Sequence, residues 1–325
     1  MSFVGINNQE VFVKSSQELG TIKQGMHIID TGDHAPIKDP ARRIAPHKKK
    51  IVEENVNKLL GMGVIRESMS PWSASPVLIR KPDGNIRWCV DWRNLNKVTV
   101  KDSYPLPRVD DSLDLLGDNC WFTTLDLQHG YWQVPLRQED WEKTAFSTHL
   151  GLYEFTRTPM GVANAPATFQ RCMDQVFKGL LGKSAIVYLD DIVVPGATFE
   201  EAANNLEAVL QRIQENGLKV KTAKCQFFKQ SINFLGHEVS KDGMRPQDAK
   251  VEQIRTWPTP TNHSELRTFL GLAGYYRKYI QEFGAISQPL NDLLKKSVKW
   301  KWGTPQQQAF ERLKGALSSD QVLSY

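Results

Sequence analysis

With 325 residues, 40% of them hydrophobic, the chain is too long for one small domain and rich enough in apolar side chains for real cores, so two or three subdomains or one elongated domain are expected. No apolar run reaches the roughly 18 residues that a membrane-spanning helix needs, and the opening MSFVGINNQEVF lacks the basic-then-apolar order of a secretory signal. A net charge of +5 is compatible with a nucleic-acid partner without requiring one, and the scattered Cys89, Cys120, Cys172 and Cys225, with no CxxC pair, argue against zinc or a disulfide framework and fit a reducing compartment.

Residues 1–45 read as a mixed lead-in interrupted by Gly and Pro. Within it, Asp30-Thr31-Gly32 matches the aspartic-protease triplet, but a Pro-interrupted basic segment and a helix follow instead of a small β-domain, so Asp30 is read as structural. Pro46 opens a helix with Val52, Val56, Leu59 and Leu60 on one face, ending near Gly61–Gly63. Its Lys48-Lys49-Lys50 is read as a solvated helix start, with phosphate contact the lesser alternative. Strands at 76–81 and 86–92 flank the turn Pro82-Asp83-Gly84-Asn85. Residues 121–127 alternate, with Phe122, Thr124 and Asp126 on one face. A helix over 164–180 takes Asn164 as its cap and Pro166 in its first turn. Thr198 and Glu201 form a capping box that opens a helix reaching Gly217. Strands follow at 218–221 and 232–239, with a turn at Asp242-Gly243. Past Pro260 the pattern is helical. Over 264–280, Leu266, Leu270, Ala273 and Ile280 share one face, and Arg267, Gly271, Gly274 and Lys278 line another.

One stretch stands apart. SAIVYLDDIVVPG, residues 184–196, sets Asp190 and Asp191 at the tip of an otherwise apolar hairpin. Adjacent carboxylates repel each other, and burial raises their pKa values. A hard divalent cation with oxygen ligands removes that conflict. A third carboxylate is needed to hold two metals in the arrangement that suits in-line displacement at phosphorus, and Asp126, near the end of an apolar strand, is the best candidate. The alternative is a merely polar turn.

The surrounding order decides between these readings. LDLQHGYWQV (125–134), TPMGVANAPATFQ (158–170), YLDD (188–191), FLGHEVS (234–240) and FLGLAGYYRKYI (269–280) together resemble the reverse transcriptases of gypsy-type LTR retrotransposons, from about Ile29 to the C-terminus. The resemblance implies an α+β right-hand polymerase with an antiparallel palm sheet. It assigns 46–100 and 134–164 to fingers, 101–133 and 165–240 to palm, 241–299 to thumb, and 300–325 to the start of a connection segment. It implies an RNA-directed DNA polymerase that extends a primer on RNA or DNA by nucleotidyl transfer from dNTPs, with two Mg²⁺ ions or Mn²⁺ in their place. Asp126 and Asp190 match the main metal ligands and Asp191 the weaker one. Lys224 matches a lysine that protonates the leaving pyrophosphate, the equal alternative being a surface lysine like Lys219 and Lys221. Tyr131 matches an aromatic gate that excludes a 2′-hydroxyl, the alternative being an ordinary core tyrosine. Lys81 and Arg87 are placed at the triphosphate, and Met160 and Gly161 beside the nascent base pair. Tyr188 and Gln170 are placed at the primer-template, the alternative for Gln170 being an exposed helix polar residue. Phe234, Leu235, Gly236 and His237 resemble a primer grip. Arg267, Gly271, Gly274, Tyr275 and Lys278 resemble a helix that tracks the nucleic-acid groove; small residues permit close approach and cations hold phosphate.

By the same resemblance the partners are template-primer and dNTPs, no membrane, a dimer with another polymerase subunit as one expected assembly, and the RNase H and integrase of the same polyprotein. The expected location is the cytoplasm, in virus-like particles, and later the nucleus. After residue 300 only Glu311 and Asp320 are acidic, so no RNase H carboxylate cluster is expected. Two rival readings remain at this point: a catalytically silent nucleic-acid-binding subunit, and an RNA-dependent RNA polymerase, against which Tyr131 speaks.

Overall fold

The computed structural model describes residues 9–40, 42–80, 84, 86–296 and 298–317; Lys81 lies outside the described residues. The chain forms two compact units, one of Met1–Leu115 with Phe122–Phe228, the other of Leu116–Trp121 with Lys229–Tyr325. The segment 229–240, assigned to the palm by resemblance, belongs to the second of these.

In the first unit the helix Pro46–Gly61 begins on proline and buries Val52, Val56 and Leu59. Leu60, expected on the same face, is only half-buried at its edge. Gly63, at φ +65°, stops the helix, and the Val64 amide donates back to the Leu59 carbonyl. Strands Ser75–Arg80 and Ile86–Asp91 pair antiparallel, with Ile79 opposite Arg87. Their apolar side chains join one core with Phe146, Phe155 and Trp92. A second core lies under a four-stranded sheet ordered Ile186–Tyr188, Asp191–Gly196, Trp121–Asp126, Gln226–Lys229. Helices Ala165–Val176 and Phe199–Glu215 supply Phe169, Met173, Leu206 and Leu210 to it.

Several local expectations change here. Asn164 does precede its helix, at φ +66°, but its side chain makes no cap. It ties a distant segment instead: Oδ1 accepts from the Asp102 amide and Nδ2 donates to the Val100 carbonyl. The helix ends at Val176 rather than 180, because the chain turns through Gly179 at φ +88°. The Thr198 box forms, with Oγ1 accepting from the Glu201 amide at 3.1 Å and Glu201 Oε2 accepting from the Ala197 amide at 3.0 Å. The strand expected at 218–221 shrinks to bridges from Val220 to Phe12 and Leu127.

The second unit contains a meander, Ser231–Phe234, His237–Ser240 and Gly243–Pro246. The strand read from periodicity over 232–239 folds back on itself, into the hairpin that the primer-grip resemblance implies. Phe234 pairs with His237, and Leu235 and Gly236, at φ +47° and +76°, make the two-residue turn. Asn262 Oδ1 caps the helix His263–Tyr275 by accepting from the Ser264 and Glu265 amides. That helix buries Leu266, Phe269 and Ala273, leaves Leu270 half-buried, and stops short of Ile280, giving way to a 3-10 turn at Arg277–Tyr279. Helices Asp248–Arg255, Phe283–Leu293 and Thr304–Leu317 also belong to this unit.

Candidate active site

The aspartate hairpin is tighter than its sequence implies. Tyr188 pairs directly with Asp191, so the two turn residues are Leu189 and Asp190, and Asp191 opens the outgoing strand. Leu189 sits at φ +53°, a left-handed conformation that a γ-branched residue seldom adopts. Gln170 holds it there. Its Oε1 accepts from the Leu189 amide at 2.9 Å, while Nε2 donates to Asp174 Oδ1 at 2.9 Å and reaches the Val187 carbonyl at 3.5 Å. Gln170 is fully buried. Both expectations for it, template contact and exposed helix residue, are therefore corrected: the helix Ala165–Val176 aims this side chain inward, under the turn. Gln170→Leu leaves buried amide and carbonyl groups unpaired, which costs about 1–3 kcal/mol. The expected outcome is a melting point lowered by several degrees in thermal denaturation.

Around this turn the structure gathers the acidic residues. Asp126 ends the neighbouring strand, and Lys224 Nζ lies 3.0 Å from its Oδ2. Burial, then the charges of Asp191 and Asp126, push the Asp190 carboxyl up to about 6, with Lys224 opposing. Asp191 faces solvent at the strand start; partial burial and the Asp126 charge raise it as well. Gly130 completes the site and was not singled out from sequence. A Cβ there would stand 2.8 Å from Asp190 Oδ1 and 3.2 Å from the Phe169 ring, so only glycine lets the 128–131 backbone pass the carboxylate. The only signal for it was its place between Asp126 and an aromatic residue.

Among the described residues no three acidic, His or Cys side chains form a ready-made ligand cage. The donor set still fits a hard divalent cation. Asp190 Oδ1 is buried with no hydrogen-bond partner, and the coupled carboxylates repel one another until a cation neutralises them.

Tyr131, in the turn Gly130–Gln133, is half-buried with its ring 5.1 Å from Phe169. Burial and the Asp190 charge push its hydroxyl up to about 12, so it stays protonated. Arg87 is exposed on its strand, with Nη2 3.8 Å from the Met160 sulfur. Met160 is 43% exposed, and Gly161 follows it at φ +90°. Two residues that the sequence reading passed over fix this loop. Trp92 Nε1 donates to the Met160 carbonyl at 3.1 Å, and Asn96 both donates to the Gly161 carbonyl at 3.0 Å and accepts from the Ala163 amide at 2.7 Å. Their signal was the run WRNLN directly after the strand Ile86–Asp91. Lys58, Arg87, Trp92, His129, Trp132 and Met160 line one cleft. Tyr188 is half-buried beside the aspartate turn.

In the second unit, Phe234 and His237 are buried. They shape the hairpin and leave Leu235 and Gly236 at its tip. Tyr275 Oη donates to the Leu235 carbonyl at 2.6 Å and Tyr276 Oη to the Gly236 carbonyl at 2.8 Å. The His237 ring packs among Tyr275, Tyr276 and Tyr279, with centroids 5.4 to 5.7 Å away. Tyr275, expected to stack on sugars or fill a core, is partly exposed and braces this hairpin. Gly236 has no tolerance for a side chain, since a Cβ would lie 2.9 Å from Tyr276 Oη at an already positive φ. Gly236→Ala is expected to destabilise this unit by about 1–3 kcal/mol, read as a lower melting temperature. Arg267, Gly271 and Lys278 are exposed and Gly274 is half-buried; a Cβ on Gly271 would meet nothing within 4 Å.

Residues 79–239 match the family described as reverse transcriptase (RNA-dependent DNA polymerase). The chain is 39% identical over 316 residues to the retrovirus-related Pol polyprotein from transposon 297 of Drosophila melanogaster, covering 95% of this chain and 30% of that protein. It is 36% identical over 312 residues to the corresponding polyprotein from transposon gypsy of the same organism, covering 91% of this chain and 30% of that protein. The chain thus spans under a third of the length of these relatives. Among solved structures, the foamy viral protease-reverse transcriptase in complex with an RNA/DNA hybrid superposes with a TM-score of 0.87 at 25% identity, over 99% of this chain and 44% of that one. A second foamy viral structure, in complex with double-stranded DNA, gives 0.88 at 26% identity over 99% and 57%.

Proposed function

The chain belongs to the reverse transcriptases, with the Pol polyproteins of gypsy-type LTR retrotransposons, and on that premise we propose that it is an RNA-directed DNA polymerase that extends a primer on an RNA or DNA template from dNTPs. One observation carries the reading beyond the likeness: Asp126, Asp190 and Asp191 act on one another electrostatically, and the buried Asp190 oxygen has no partner of its own.

Reverse transcriptases as a family use divalent metal. In this chain Asp126 and Asp190 would be the principal ligands and Asp191 the weaker one, for Mg²⁺ or for Mn²⁺ in its place. When bound, the ions supply Lewis-acid neutralisation of the charge that builds up on the transferring phosphoryl group. The protein's own share is positioning. Arg87 presents a planar fork to the triphosphate beside Met160. The tethered Met160–Gly161 loop brings bare backbone to the nascent base pair. The Tyr131 ring lies where a sugar would rest, and its protonated hydroxyl takes no part in proton transfer. Lys224 neutralises Asp126 before substrate arrives and holds the proton that a leaving pyrophosphate needs. The second unit binds the template-primer through the Leu235-Gly236 tip and the Arg267–Lys278 face. The relatives' names, Pol polyproteins of transposons, support a polyprotein context for this chain.

The test is primer extension. The purified chain, primed RNA, Mg²⁺ and either dNTPs or NTPs are incubated beside Asp190→Asn. dNTP-dependent extension that disappears in the variant supports the proposal. Binding without extension points to a silent subunit, and efficient NTP use points to an RNA polymerase.

A further inference from the structure

The helix face that carries the exposed Arg267 runs back to the half-buried His263. His263, Arg267, Gly271 and Gly274 fall at spacings of four, four and three, one continuous stripe of the helix. The Trp300 ring packs on His263 at the N-terminal end of that stripe, with centroids 5.2 Å apart. Trp302 stacks on Trp300 at 5.8 Å, packs on Phe310, and donates from Nε1 to Gln307 Oε1 at 2.7 Å. Residues 298–302 are therefore a strap pinned at both tryptophans, one to each of two helices of the same unit. Between and beside these anchors, Lys299 and Lys301 are exposed, and among the described residues no carboxylate pairs with either. The same alternation of cation and aromatic could mark a plain solvated surface. A solvated surface gives no reason, however, for two tryptophans to moor it against the stripe.

We propose that the strap is a second phosphate-contact site, in which Lys299 and Lys301 continue the Arg267 stripe along the backbone of a bound duplex. This rests on the nucleic-acid-binding reading of the second unit and extends it to residues that no motif assigned. Rigid anchoring matters because a lysine held near phosphate loses less side-chain freedom on binding than one on a loose segment. Each phosphate neutralised adds about 0.9 to the salt slope for duplex DNA.

The experiment measures fluorescence anisotropy of labelled duplexes of graded length across a salt series. It compares wild type with Lys299→Ala/Lys301→Ala, Lys299→Arg/Lys301→Arg, Trp300→Ala, and Lys178→Ala/Lys183→Ala as an equal change of charge elsewhere. The alanine pair is expected to lower the salt slope by about 1–2 and to weaken binding of long duplexes several-fold. It should leave the shortest duplexes and the rate of single-nucleotide addition at saturating duplex unchanged. The arginine pair keeps the wild-type slope, and Trp300→Ala loses part of it with no charge removed. An unchanged slope in the alanine pair, or an equal loss in the Lys178/Lys183 pair, overturns the strap while leaving the polymerase reading intact. Wild type that binds no duplex of any length overturns both.

Discussion

Asp190→Asn is expected to abolish dNTP incorporation and, at pH 8, to make the metal-free protein more stable. The activity loss follows from removing one of the two proposed principal metal ligands, and should reach about three orders of magnitude or more. The stability gain follows from the raised carboxyl. In the folded chain Asp190 titrates at about 6, against an ordinary value of 3.8, because it is buried beside Asp191 and Asp126. Below the ordinary value both states hold the proton and nothing is lost. Between the two values the folded state keeps a proton that the unfolded chain has released, so stability falls as pH rises through this window. Above about 6 the penalty is complete. A shift of this size corresponds to about 3 kcal/mol, reduced to about 2 by the partial access of solvent. Asparagine carries no such charge. Melting curves at pH 8 should therefore place the variant a few degrees above wild type, and at pH 4 the difference should vanish. Mg²⁺ should stabilise wild type at pH 8 and leave the variant nearly unmoved. Equal melting at both pH values would show that the carboxylate is not strained, and persistent extension would remove it from the ligand set.

Tyr131→Ala is expected to lower the preference for dNTPs over NTPs by about a hundredfold, the discrimination that one steric contact can carry. Tyr131→Phe should keep it. The ring is fixed by Phe169 at 5.1 Å and belongs to the seam where both cores of the first unit meet. Losing it also costs packing, about 2 kcal/mol for a half-buried aromatic. Folding must therefore be checked by melting before the rates are compared. The informative quantity is the ratio of kcat/KM for dNTP to that for NTP, which a general loss of stability leaves alone. A ratio that stays constant in Tyr131→Ala would return this residue to the status of a core tyrosine.

Elements with strong local periodicity were legible in the sequence. Pro46–Gly61, the Thr198-capped helix and the strands around Asp190 form where alternation and capping chemistry placed them. What local patterns could not carry were interactions closed by distant chain. Asn164 has a cap's composition, yet it spends both ends of its amide on Val100 and Asp102. Gln170 reads as surface polar because nothing nearby in sequence shows that Leu189 and Val187 return beneath it. Leu235-Gly236 breaks an apolar run that reads as one strand, since the two tyrosines that stabilise the reversal lie forty residues on. Gly130, Trp92 and Asn96 escaped for the same reason. Their work is to leave room, or to hold backbone, and neither has a periodic signature.

On the proposed reading, the bare centre of the His263–Tyr275 helix has a consequence for what can be copied. At Gly271 nothing projects, and a methyl group placed there would touch nothing. A surface of this kind grips the rails of a double helix and cannot tell one rung from another, because discriminating base edges requires donors and acceptors that reach into a groove. Indifference of this sort suits an element that must transcribe its whole message, whatever letters the message contains.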